Sequence, residues 1–142
     1  MKKWFIIVAF CTQPTLFSQE WNSDFDAAIS KSRQSGNPVL LLFSVPDACD
    51  TCRQLEETVF GSDDFKAFAS RRLVLAKPDF SESADMMTKA ENLLIVEKYD
   101  KDGFFPWVVV LKNGKVIGKM GNYEAQTPQQ YIAKLQSIID DK

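Results

Sequence analysis

Apolar residues fall along this chain in two rhythms, short unbroken runs and helical spacings, and the two alternate. Val39-Leu40-Leu41-Leu42-Phe43 is a continuous apolar run short enough for a strand covered on both faces. Leu73 to Ala76, ended by Pro78, and Trp107-Val108-Val109-Val110-Leu111 read as two more buried strands. Around them the spacing is helical. Trp21-Asn22-Ser23-Asp24-Phe25-Asp26 opens a first helix, with Ser23 and Asp26 at capping-box spacing; Phe25, Ala28, Ile29 and Ser32 share a face, and Gly36-Asn37-Pro38 stops it. A second helix from about Asp50 buries Cys52, Leu55 and Val59, and Gly61-Ser62-Asp63 breaks and restarts it ahead of Phe65 and Phe68. Ser83 to Tyr99 reads as a third, with Met87, Ala90 and Leu94 on its packed face and Met86 and Leu93 adjoining. A methionine pair can hold a soft metal, but core packing is its commoner use.

Lys101-Asp102-Gly103 is a turn, and Asn113-Gly114 signals a hairpin from the Trp107–Leu111 strand to Val116-Ile117-Gly118. Thr127 and Pro128 suit the N-cap and first position of a last helix that buries Tyr131, Ile132, Leu135, Ile138 and Ile139. The order is helix, strand, helix, strand, helix, strand, strand, helix. Such alternation implies an α/β domain with a mostly parallel central sheet flanked by helices, to which the C-terminal hairpin adds an antiparallel edge.

Composition narrows the class. With 142 residues, 45% of them hydrophobic and 25% charged, the chain has room for one core-bearing domain and none for a second. A net charge of -2 and the absence of a basic run argue against nucleic acid as a partner. The sequence contains no histidine, which excludes Cys-His and Ser-His nucleophilic pairs and histidine-ligated metal.

The N-terminus adds an address. Met1-Lys2-Lys3, the apolar run Trp4 to Cys11 and the polar stretch to Leu16-Phe17-Ser18-Gln19 have the layout of a secretory signal peptide cleaved after Ser18. The apolar run is too short to span a bilayer, and Phe10 is too bulky for the small residue that precedes a lipid-modified cysteine. The expected division is a signal peptide over residues 1–18 and one domain over 19–142, exported to the periplasm or alternatively to the medium. Cleavage removes Cys11, so Cys49 and Cys52 become the only thiols of the mature domain. In an oxidising compartment each then has only the other, or a substrate, to pair with.

That pair carries the chemistry. Cys49-Asp50-Thr51-Cys52 follows the Val39–Phe43 strand and opens a helix. A sulfur at the first turn of a helix faces unpaired backbone N–H groups and the positive end of the helix dipole, both of which favour the thiolate. Cys49 is therefore expected to attack a substrate disulfide, and Cys52 to displace the product from the mixed disulfide. Asp50 opposes a second negative charge beside the sulfur, with Arg53 as counterweight, so a modestly lowered Cys49 pKa and a reducing or intermediate poise are expected. Asp50 also suits the helix N-terminus. Two other readings of the cysteines stay open, a structural disulfide and half of a metal site.

On these residues, together with Phe105-Pro106 before the third buried strand, Lys112-Asn113-Gly114-Lys115 at the hairpin and Gly121 before the last helix, the chain resembles the thioredoxin superfamily over about residues 21 to 140. It is closest in layout to the short exported bacterial thioredoxin-like proteins. The resemblance implies that Pro106 is cis and lies against the sulfurs, with Asp50 and Thr51 supporting the cysteines. It also implies that Ala48, Phe105, Pro106 and Gly121 meet an extended substrate peptide, with the Phe105 backbone exposed to pair with it. Three positions depart from thioredoxin: Phe43 stands where a buried aspartate assists proton transfer, Ala48 where a tryptophan precedes the first cysteine, and Trp107 where a small polar residue follows the proline. Lys77 matches the lysine that pairs with that aspartate; without the partner, the alternative is a solvated surface lysine.

The function expected is an exported thiol:disulfide oxidoreductase that reduces disulfides in other proteins. It would use no cofactor beyond the Cys49-Cys52 pair and would be recharged by a membrane-bound thiol electron donor. A monomer is expected, and an isomerase is disfavoured because isomerases of this class usually dimerise through an additional domain, for which the chain has no room. The alternatives are an isomerase or oxidase, a Cu(I) carrier using the two sulfurs, and a binding module with a static disulfide and a groove lined by Val45, Phe104, Phe105 and Trp107.

Overall fold

In the computed structural model, which describes residues 20–141, the organising element is strand β2 (Val39–Phe43), buried at all five positions. The expected signal peptide and Cys11 lie outside the described residues. Because side chains alternate across a strand, Leu40 and Leu42 enter one core and Val39, Leu41 and Phe43 the other. Helix α1 (Phe25–Ser35) and helix α4 (Met86–Tyr99) cover the second core, which includes Ala28, Val109 and Leu111. Helices α2 (Asp50–Leu55), α3 (Asp63–Arg72) and α5 (Pro128–Asp140) cover the first, where Phe60, Phe65 and Tyr131 stack edge to face or tilted.

The sheet has five strands in the order β1-β3-β2-β4-β5, where β1 is Trp21–Asn22, β3 is Val74–Ala76, β4 is Trp107–Lys112 and β5 is Lys115–Met120. The chain therefore has the thioredoxin fold's mixed sheet between two helical layers. Antiparallel pairing reaches further inward than the final hairpin: β4 runs against β2, with Trp107 opposite Phe43, and only the β1-β3 and β3-β2 pairings are parallel. Helix-strand alternation does not say at which end of the sheet the chain re-enters. Here the long segment from Lys77 to Asp85 precedes α4, so α4 finishes, and β4 starts, at the end where β2 and β3 stop.

Three further expectations are corrected. Trp21 and Asn22 pair with Leu75 and Ala76 as an edge strand, and α1 starts only at Phe25, with Asp24 as N-cap accepting from the Ala27 N–H at 3.1 Å. A two-residue strand has no period to read. Helix α4 starts at Met86 behind an Asp85 cap, later than Ser83. Its packed face is also the opposite one: Asn92, Ile95, Val96 and Tyr99 turn inward while Met86, Met87, Leu93 and Leu94 are exposed. The polar anchor decides this rotation, for Asn92 Nδ2 donates to the Asp79 carbonyl at 2.7 Å and takes its helix face into the interior. Elsewhere local chemistry and structure agree. Asn113 and Gly114 both take positive φ (52° and 75°) at the hairpin, and Thr127 with Gln130 forms a capping box around Pro128.

Asp100, which caps α4, is 3% exposed. Its Oδ1 accepts from the Phe104 N–H at 3.2 Å, while Oδ2 finds no partner among the described residues. Burial, with a smaller contribution from Asp102, raises its pKa above the ordinary 3.8. A carboxyl held above its unfolded value stabilises the fold in acid and loses that contribution as pH rises through the carboxylate range. Asp100→Asn, which has no charge to bury, should therefore unfold at a higher denaturant concentration than the parent at pH 7. The difference should vanish below pH 3.8, which chemical denaturation at the two pH values checks.

Candidate functional site

The site is built where β2 ends and α2 begins. The chain leaves Phe43 through Ser44 and a turn in which the Ala48 N–H donates to the Val45 carbonyl at 2.9 Å, and then enters α2 at Asp50. Cys49 is the N-cap, extended at φ -141° and ψ 107°, and its Sγ accepts from the Cys52 N–H at 3.1 Å. A sulfur thus occupies the place where a Ser or Asp oxygen usually satisfies the first free N–H groups of a helix. Cys49 and Cys52 are joined as a disulfide, with Cα atoms 5.2 Å apart. Cys49 is half-buried and Cys52 wholly buried, so only the first sulfur can meet an incoming molecule.

Opposite them stands the start of β4. The Phe105-Pro106 peptide is cis, as the resemblance implied, and the Phe105 carbonyl oxygen lies 3.9 Å from Cys49 Sγ. Pro106 is buried, and the Phe105 ring packs into the second core against Phe43 and Phe80. That leaves its backbone, rather than its side chain, beside the sulfur. Phe104 is 57% exposed next to it. Asp50 and Thr51 are exposed on the first turn of α2. The Asp50 carboxylate receives the Arg53 guanidinium at 2.6 Å, so the counterweight expected for the sulfur is spent on Asp50. Ala48 is exposed beside Cys49. Gly121 is brought to the same end of the sheet, against Trp107: a Cβ there would strike the indole ring.

Of the two alternatives for Lys77, paired or solvated, the structure has it paired, with Glu56, a residue that carries no recognisable motif. Its Nζ lies 2.9 Å from Glu56 Oε2, and Ser44 Oγ donates to Glu56 Oε1 at 2.5 Å. Glu56 follows α2 at the start of a π-helical turn, Glu56–Phe60. The available signal was its spacing: Glu56 is four residues after Cys52, a carboxylate on the helix face that otherwise carries Cys52, Leu55 and Val59. Ser44 and Lys77 also line an open groove of about 970 Å³ between the Val45–Ala48 turn and the Pro78–Ser83 loop. Among the described residues no group of three or more His, Cys, Asp or Glu gathers to hold a metal ion.

Against known proteins, residues 25–138 match the family model of the thioredoxin-like domain. The chain belongs to the thioredoxin-like domain family. Among its thioredoxin-like relatives is a disulfide bond reductase, DsbH, of Chlamydia pneumoniae, 26% identical over 122 residues that cover 84% of this chain and 72% of that protein. The solved structure of a DsbH oxidoreductase superposes with a TM-score of 0.78 at 26% identity, covering 87% of this chain and 85% of that one. A thioredoxin from Thermus thermophilus superposes at 0.63 with 18% identity over 83% of this chain and 85% of its own, a likeness of fold alone.

The close approach at Gly121 is testable. Gly121→Ala should force the Trp107 ring aside and lower stability by about 1–3 kcal/mol, the cost of overpacking a filled site. Denaturant unfolding followed by tryptophan fluorescence measures it, and unchanged stability would leave Gly121 free for a role toward substrate only.

Proposed function

We propose that this protein is an exported thiol:disulfide oxidoreductase that reduces disulfides in other proteins through Cys49 and Cys52. The observation that carries the reading is the Cys49 sulfur at the N-terminus of α2, accepting from the Cys52 N–H and facing the cis Phe105-Pro106 edge. The kinship with a disulfide bond reductase supports the same direction.

The geometry supports the following sequence of events. In the reduced protein the Cys49 thiolate is stabilised by the N–H groups and dipole of α2. It attacks one sulfur of a client disulfide, forming the mixed disulfide and releasing the client's other sulfur as thiolate. The client chain lies extended past Ala48, with the Phe105 backbone beside Cys49 for strand-like pairing and Pro106 fixing that backbone's direction. Cys52, buried one turn along, then attacks Cys49 Sγ, releasing the second client thiolate and restoring the Cys49-Cys52 disulfide. Asp50 and Thr51 hold the first turn, and Asp50 lessens the stabilisation of the thiolate, which favours a reducing pair. The protein works as a monomer in the periplasm, without a further cofactor, on disulfide-containing protein substrates. A membrane-bound thiol donor returns electrons to the pair.

Two measurements test this. Equilibrating the purified protein against glutathione or dithiothreitol buffers and counting thiols should give a potential well below about -200 mV; one near about -120 mV marks an oxidant and overturns the direction. Cys52→Ser should accumulate mixed disulfides through Cys49, visible by non-reducing electrophoresis and mass spectrometry, and Cys49→Ser should accumulate none. A Cys49-Cys52 bond that resists reduction until the protein unfolds would instead identify a binding module.

A further inference from the structure

Resting on the exchange reading above, the surroundings of Cys49 say what kind of client chain reaches it. The sheet order places β3 on one side of β2 and β4 on the other, so the turn that leads to Cys49 has a neighbour on each flank. On the β4 flank stands the Phe105-Pro106 edge. On the β3 flank lies the groove of about 970 Å³ between the turn over residues 45–48 and the loop over residues 78–83, and it reaches Ala48, the residue before the nucleophile. The two flanks are joined across the end of β2 by Phe80, whose ring packs against both Phe43 and Phe105. A client chain crossing Cys49 at its disulfide thus meets the Phe105 edge on one side and the groove on the other.

The groove has an apolar floor and an acidic rim. Trp21, Pro46 and Phe80 are half-buried along it, while Asp47, Asp79 and Glu82 stand exposed. Asp47 and Glu82 have no ion-pair partner among the described residues. Hydrogen bonds from the Ser81 side chain and backbone, the latter at 2.8 Å, hold the Asp79 pKa below the ordinary 3.8. The nearby cations are already engaged: Lys77, which lines the groove, is bound to Glu56, and Lys89 donates to the Glu82 carbonyl at 2.9 Å. Lys77 Nζ also lies 5.7 Å from the centre of the Trp21 ring, so this aromatic face accommodates an ammonium in the protein itself. An apolar floor under a rim of carboxylates fits side chains built the same way, an aliphatic stem ending in a cation.

We propose that this groove binds a lysine- or arginine-rich segment of the client chain beside its disulfide, so that clients with basic residues near the cysteine are captured in preference to others. The stems of those residues lie on Trp21, Pro46 and Phe80, and their charged heads meet Asp47, Asp79 and Glu82. An acidic segment meets like charge in the same place and is turned away. The groove acts on capture alone and leaves the exchange at Cys49 as described. Because the three carboxylates are exposed, the preference weakens as salt screens them.

The test reads binding and exchange separately. Cysteine-free peptides of one length, carrying lysine, glutamine or glutamate at alternate positions, are titrated into the oxidised protein and followed by amide shifts in NMR. At low ionic strength the lysine peptide should bind about tenfold tighter than the glutamate peptide and move the resonances of residues 78–83. The triple variant Asp47→Asn, Asp79→Asn, Glu82→Gln should lose that preference. The triple variant Glu57→Gln, Glu91→Gln, Glu97→Gln, which removes the same charge from exposed positions outside the groove, should keep it. The same flanks are then built around a cysteine as peptide disulfides and reduced in single turnovers by the reduced protein. Dividing each rate by that of dithiothreitol on the same peptide cancels the effect of lysine on the disulfide itself. The parent should favour the lysine peptide about tenfold, through the half-saturating concentration rather than the limiting rate. Equal affinity for the three peptides overturns the proposal, as does a preference that the groove variant keeps or the control variant loses. So do shifts that appear on raising the protein concentration without peptide, which assign the groove to a second copy. Binding of the lysine peptide in the groove with no peptide disulfide reduced supports the groove and overturns the exchange reading instead.

Discussion

Strand β2 is hydrogen-bonded along both edges, parallel to β3 and antiparallel to β4, and covered on both faces. No residue in it has freedom to move without disturbing a ladder and a core together, because interiors are packed like solids. Its last residue, Phe43, is therefore a fixed point. Six residues later the chain must cap a helix with a sulfur, and the first residue of β4, opposite Phe43, follows directly on the cis proline. The distance between Cys49 and the Phe105 carbonyl is set by this shared reference rather than by any contact between the two. A reactive group held on regular elements in this way keeps its geometry better than one held on loops.

The chain order shows which parts of this arrangement are written locally. The Cys49-to-Cys52 turn, the Asn113-Gly114 hairpin, the Thr127 cap and the apolar face of α5 each depend on residues within a few positions of one another, and each was legible. The cis proline was legible only through family resemblance. What local reading missed is non-local in cause. The direction of β4 depends on where a long connection brings the chain back. The rotation of α4 depends on Asn92 finding a carbonyl thirteen positions away. Lys77 and Glu56 are 21 residues apart and meet only because the fold brings the chain just after β3 beside the end of α2. A helical pattern with apolar residues on two faces, as on α4, leaves the choice of face to the partner.

The site also shows a division of electrostatic labour. Asp50 stands closest to the sulfurs in sequence, yet its charge is shared with Arg53 at the surface, where an ion pair contributes little. Glu56 stands on the inner side of the same helix, less exposed and held by two partners. Two carboxylates six residues apart thus meet different surroundings because one faces solvent and the other the sheet. Exposure, more than proximity in sequence, decides how far each charge is screened by water.

The borders of the sheet are both poorly suited to pairing. One border, β1, is two residues long, and the other, β5, carries Lys115 and Lys119 and lies beyond an irregularity between Val110 and Leu111. Short length, lysines and broken register are the means by which sheets discourage strangers from adding a strand. An extended chain from outside therefore finds no long flat margin to zip onto, and the sheet resists growth by a strand at either border.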